Sequence, residues 1–252
     1  MFERKLGELL ELQTKVRHLH PLFEEHYSVV LVETYRIVSY RFENGAYKLH
    51  RIRPNIEDWP TTLPLSLPAA FSVQILSGEV ACVAKAESLD DIAGKVMMLH
   101  EFVHCHQART CYHKLAESLE IVREGEAARN ENWMLNFPFP YDHPSFVDSF
   151  YTYLESTPET LLEARRRVLQ TLTPKDREYM VWQEWMEGFA RHLENRIQQF
   201  LGLPLNLYAA KLPFNRVSFY ASGAKTIGHL TALEPALETD LESLYHQMNQ
   251  RW

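Results

Sequence analysis

The pattern of apolar and polar positions sets a short β-rich stretch among helical ones. From about Glu3 to Leu19, Leu6, Leu9, Leu10, Leu12 and Val16 recur among charges at helical spacing. From Tyr27 to Arg53 β-branched and aromatic residues take over, and Asn44-Gly45 separates the runs Tyr35–Phe42 and Ala46–Ile52. Asn and Gly both tolerate positive φ, so this stretch predicts a β-hairpin. Residues 54 to 68 read as a loop. Phe71–Leu76 and Glu79–Ala84, parted by Ser77-Gly78, predict two further strands.

The texture then turns helical. Ser88-Leu89-Asp90-Asp91 offers a hydroxyl N-cap with an acid three residues on, and Ile92, Val96, Leu99 and Val103 follow as one apolar stripe. Helical pattern continues to about Arg129. Asn130 to Pro144, rich in aromatics and prolines, breaks the period and reads as a loop that either lines a cleft or covers core. Thr157-Pro158 and Thr173-Pro174 each put a hydroxyl at an N-cap and proline at the first helical position. The second start opens a long stripe, Trp182, Trp185, Met186, Phe189, Leu193, Ile197 and Phe200, that stops at Gly202-Leu203-Pro204. Tyr220–Leu233 and Leu237–Met248 are helical again. The expected class is α+β, with a small antiparallel sheet and its helices in residues 1–128 and a mainly helical part in residues 129–252.

Composition narrows the partners. A net charge of −7 with no Lys/Arg-rich run argues against nucleic acid, and no glycine-rich loop opens a helix to cradle phosphate. The longest apolar stretch, about Leu63 to Ala84, is broken by Pro64, Pro68, Gln74 and Glu79, so no membrane span is expected. The charged start lacks a secretory core, and the three cysteines give no disulfide framework. The expectation is a cytoplasmic protein of unspecified oligomeric state.

The candidate chemistry lies in His100-Glu101-Phe102-Val103-His104. Residues four apart on a helix differ by about 40° in azimuth, so His100 and His104 can aim two imidazoles at one metal ion. Glu101, about 100° from His100, can reach a water held there and serve as general base. Cys105, His106, Cys111 and His113 point in several directions along the helix, and Cys105 reads as a small buried apolar residue. A catalytic zinc takes three protein ligands and leaves one position open, so a third ligand is required. Glu187 is the choice, because it sits beside Gly188 on an otherwise buried face where a lone carboxylate is costly. Glu184 is the reserve, and an ion pair of Glu187 with Arg191 is the competing arrangement.

These residues carry a resemblance. The His100–His104 segment, followed by Trp185-Met186-Glu187-Gly188-Phe189-Ala190-Arg191-His192-Leu193-Glu194, resembles the gluzincin metallopeptidases of the aminopeptidase N type, whose second zinc helix reads W-L-N-E-G-F-A-x-Y-x-E. Phe219-Tyr220-Ala221-Ser222-Gly223-Ala224 is similar to the Y-E-K-G-A stretch of that family. The resemblance implies a zincin-like fold, Zn2+ on His100, His104 and Glu187, Glu101 as general base and acid, and Tyr220 as oxyanion donor; should Tyr220 only pack, His229 is the next candidate donor. The chain departs from the family in a much longer gap between His104 and Glu187, in Met186 and His192, and in lacking the G-A-M-E-N segment that reads a free amino group.

The function expected is therefore a zinc metallopeptidase that hydrolyses a peptide or protein substrate with a Glu101-activated water on zinc. Two alternatives stand beside it. One is an inactive or structural zincin-like module that binds a peptide or protein partner, and the other is hydrolysis of a different bond.

Overall fold

The computed structural model describes residues 2–55, 68–130 and 132–250. The expected loop at 54–68 lies almost wholly outside the described residues. The fold is mixed α+β, a five-stranded sheet accompanied by ten α-helices among the described residues. The chain divides into two compact units, Met1–Thr110 with Leu193–Pro204, and Cys111–His192 with Leu205–Trp252.

The first unit holds α1 (Phe2–Val16), β1 (Val29–Val32), β2 (Arg36–Glu43), β3 (Ala46–Pro54), β4 (Ala69–Val73), β5 (Glu79–Lys85) and α2 (Ile92–Thr110). Asn44 and Gly45 both take positive φ, 53° and 79°, and β2 pairs β3 antiparallel as the turn predicts. Ser77 and Gly78 do the same between β4 and β5, though the run expected to reach Leu76 ends as strand at Val73. The strand order is β3-β2-β1-β5-β4. Here the expectation of an antiparallel sheet is corrected, because β1 pairs β5 in parallel and the sheet is mixed. The cause lies in the Val29-Val30-Leu31-Val32 run, which is buried on both faces and joins the two hairpins as the central strand.

Helix α2 packs along β4 and β5, with Tyr27 and Phe102 rings 5.4 Å apart. Its start differs from the sequence expectation in two details. Asp91 rather than Ser88 caps it, Oδ1 accepting from the Gly94 N–H at 2.7 Å, and Ile92 stands exposed. Gly94 is required there, since a Cβ would lie 2.2 Å from the Ser88 carbonyl oxygen.

The second unit is helical: α3 (Tyr112–Ser118), α4 (Glu120–Ala127), α5 (Trp133–Asn136), α6 (Pro144–Glu155), α7 (Leu161–Gln170), most of α8 (Pro174–Phe200), α9 (Ser218–Leu233) and α10 (Leu241–Gln250). Thr173 caps α8 as expected, its Oγ1 accepting from the Asp176 N–H. The aromatic and proline loop before α6 covers core. Phe137 stacks on Tyr179 with centroids 4.3 Å apart, and Phe139 is buried among Phe146 and Phe219.

Every residue of α8 from Tyr179 to Arg191 is buried, charged ones included. A buried carboxylate needs partners, and Glu184 has a full set. Its Oε2 accepts from Arg165 Nε at 2.8 Å, and its Oε1 accepts from Ser222 Oγ at 2.7 Å and Tyr153 Oη at 2.9 Å. Arg165 also donates to the Met248 carbonyl, and Trp185 Nε1 donates to Leu241, so α6, α7, α9 and α10 are all fixed to α8.

Helices α8 and α9 cross where each has a glycine. A Cβ on Gly188 would lie 2.5 Å from the Gly223 Cα, and one on Gly223 would lie 2.3 Å from the Glu184 carbonyl oxygen. Both obstacles are backbone, so no side-chain movement can relieve them. Gly188→Ala is expected to lower stability in chemical denaturation by about 1–3 kcal/mol, through forced separation of the two helices. An unchanged denaturation midpoint would show that the crossing does not depend on the bare glycine.

Candidate metal centre

His100 and His104 stand one turn apart on α2, their ring centroids 5.1 Å from each other. His100 is buried and His104 half-buried. The orientation of each ring is fixed through Nδ1. His100 Nδ1 lies 2.9 Å from Glu194 Oε2, and His104 Nδ1 lies 2.8 Å from Gln107 Oε1. Both partners are acceptor oxygens, so each ring donates Nδ1–H and keeps Nε2 as its lone-pair nitrogen. Glu194 is itself buried and held by Gln198, whose Nε2 donates to Oε1 at 3.3 Å.

Glu194 lies on α8, and Glu187 stands seven residues before it on the same unbroken helix. Seven residues at about 100° each end about 20° short of two full turns, so both carboxylates share one helix face. Ligand atoms of His100, His104 and Glu187 lie within 4.8 Å of one another. This group can bind a metal ion. Two imidazole nitrogens and one carboxylate oxygen form a borderline donor set, suited to a transition metal rather than to calcium or magnesium.

Glu184, the reserve ligand, is excluded by the network that already occupies both of its oxygens. Arg216 Nη1 donates to Glu187 Oε1 at 3.1 Å, while Arg191 donates to the Asn206 carbonyl. Glu101 is buried beside His100. Burial pushes the Cys82 and Cys105 thiols well up, and the nearby Glu101 carboxylate adds to it, so both remain protonated. None of the three cysteines forms a disulfide.

Tyr220 is half-buried on α9, and its oxygen accepts from Arg216 Nη1 at 2.8 Å. The phenol therefore stands one guanidinium away from the Glu187 carboxylate. Burial opposes the charge of Arg216, but Tyr220 and Glu187 outweigh it and hold the pKa above the usual arginine value. His229 lies near Glu159, whose carboxyl is held low first by the Thr157 hydroxyl and more weakly by that histidine.

Three site residues carried no assigned role in the sequence. Glu194 had a readable signal, being one heptad after Glu187 on the same face. Gln107 and Arg216 had none, since neither spacing nor residue type sets them apart. No protein-family profile matches the chain, and no curated protein or solved structure matches it either. Among the described residues, no helix is long and apolar enough to cross a membrane.

His100→Ala and His104→Ala should each abolish stoichiometric uptake of a divalent transition metal, because each removes one donor of three. Glu194→Gln should weaken binding about tenfold to a hundredfold, the usual cost of losing the partner that orients a ligand imidazole. Competition against a chromophoric chelator measures both. Full affinity in either alanine variant would remove that histidine from the site.

Proposed function

We propose that this chain is a zinc-dependent hydrolase of peptide bonds, with a zincin-like fold and a gluzincin arrangement of ligands. The observation that carries the reading is the convergence of His100 and His104 of α2 with Glu187 of α8, next to a buried Glu101. A purely structural zinc site is usually closed by four protein ligands, whereas a catalytic one keeps three and a base. Bound zinc supplies a Lewis acid and brings the pKa of water toward neutrality.

The chain's own residues supply the rest. Glu101 accepts the proton of the attacking water and returns it to the leaving amine as the C–N bond breaks. His100 and His104, oriented by Glu194 and Gln107, hold their Nε2 atoms in place without reorganisation. Tyr220 donates its hydroxyl hydrogen to the oxyanion of the tetrahedral carbon. An extended substrate suits the edge strand β4, which pairs only β5 among the described residues. Strand β5 is interior to the sheet and has no side left for such pairing. A cytoplasmic setting belongs to the same proposal.

Glu101→Gln should retain stoichiometric zinc and lose turnover of a peptide identified from a library. Tyr220→Phe should retain zinc and lose about a hundredfold to a thousandfold in kcat. Peptide turnover by Glu101→Gln at the parent rate would refute the mechanism. Wild-type protein that binds zinc and a peptide without cleaving it would instead mark a binding module.

A further inference from the structure

One guanidinium nitrogen joins the third ligand to the phenol. Arg216 Nη1 carries two hydrogens, and three oxygens lie within its reach: Tyr220 Oη at 2.8 Å, Glu187 Oε1 at 3.1 Å and Gln183 Oε1 at 3.4 Å. Arg216 lies just before α9 and is anchored by that helix's first turn, where Asn215 Oδ1 accepts from the Val217 N–H and the Asn215 N–H donates to Ser218 Oγ. The guanidinium carbon also sits 5.4 Å from the centre of the Tyr220 ring.

We infer that Arg216 is a positioning residue that fixes the Glu187 carboxylate and the Tyr220 hydroxyl as one unit. Two consequences follow from hydrogen-bond chemistry. A carboxylate whose Oε1 accepts from a guanidinium presents Oε2 to a metal ion, so Glu187 serves as a one-oxygen ligand. A phenol oxygen that accepts from a guanidinium must send its own hydrogen in another direction, so Arg216 sets Tyr220 as a donor. The cation beside the oxygen also polarises the O–H bond and makes it a stronger donor. Lysine cannot reproduce this, because its ammonium is a point charge without the planar fork that reaches two oxygens at set angles.

The inference rests on the zinc-hydrolase reading for its catalytic consequence but not for the clamp itself, and the two are tested separately. In metal-free protein, melting midpoints are compared for Arg216→Met, Tyr220→Phe and the double variant. A clamp predicts that the double variant's shift is smaller than the sum of the single shifts; additive shifts would overturn it. In zinc-loaded protein, Arg216→Met should weaken zinc about tenfold to a hundredfold in chelator competition. It should also lower kcat, and adding Tyr220→Phe should lower kcat no further than the larger single loss. Arg216→Lys should recover part of the zinc affinity and little of the kcat. Unchanged zinc affinity in Arg216→Met, or kcat losses that multiply, would reduce Arg216 to a surface-pairing residue. If the Met variant does not fold, Arg216→Gln, which keeps one donor group, takes its place in every arm. Wild-type protein that takes up no zinc would end the hydrolase reading, and the metal-free comparison would still decide the clamp.

Discussion

The burial of charge along α8 is the constraint that the rest of the structure answers to. Gln183, Glu184, Glu187, Arg191 and Glu194 are all buried on one helix. An unpaired carboxylate in that position would cost several kcal/mol, more than most single contacts in a fold return. The chain meets the cost residue by residue. Arg165 of α7 answers Glu184, Arg216 answers Glu187, and His100 of α2 answers Glu194. Within the helical unit the answers from Arg165 and Arg216 tie α7 and the start of α9 to α8, so the electrostatic requirement also dictates where they lie along it. Burial alone would not fix the rotation of α8, since every residue from Tyr179 to Arg191 is buried whichever face it stands on; polar pairing fixes it.

The glycine crossing adds the second constraint. With bare backbones at Gly188 and Gly223, α9 approaches α8 more closely than side chains allow, at the turn that carries Glu187. Arg216 and Tyr220 lie on the N-terminal side of that crossing, where Arg216 comes within hydrogen-bond reach of both the carboxylate and the phenol. A wider crossing would separate the phenol from the Glu187 carboxylate by more than one guanidinium can bridge. Packing geometry and site chemistry are therefore set by the same two residues.

What the sequence disclosed follows from where each signal is stored. Local signals were readable: the Asn44-Gly45 turn, the Thr173-Pro174 helix start, and the four-residue spacing of His100 and His104. Glu187 was readable because an acid beside a glycine on an apolar face needs a partner of some kind. Strand β1 was not resolved as a separate strand, since Val29 to Val32 has no alternation; burial on both faces erases the period that marks a half-buried strand. That omission is why the sheet was expected to be antiparallel. The Asp91 cap displaced Ser88 because the close approach of the Ser88 carbonyl to Gly94 is a backbone contact that no side-chain pattern records. Arg216 lies in a turn, where position carries no periodic information, and its role exists only through the fold.

For the proposed reading, the long interval between His104 and Glu187 is the departure that most separates this chain from the gluzincin pattern, and physically it is a weak objection. The entropy of closing a loop rises only with the logarithm of its length, by about 0.6 kcal/mol for each doubling. Here the interval is not loose chain but folded helices α3 to α7, which bring their own buried pairs such as Arg165–Glu184. What a three-ligand site requires is the register of α8 against α2. The His100–Glu194 contact ties the C-terminal part of α8 to α2, and Glu187 stands two turns earlier on the same face of that helix. A shift of α8 by one residue would turn Glu187 about 100° away, whatever the length of chain that precedes it. For the proposed site the quantity that matters is therefore the heptad spacing of Glu187 and Glu194 on one helix rather than the distance along the sequence to the histidines.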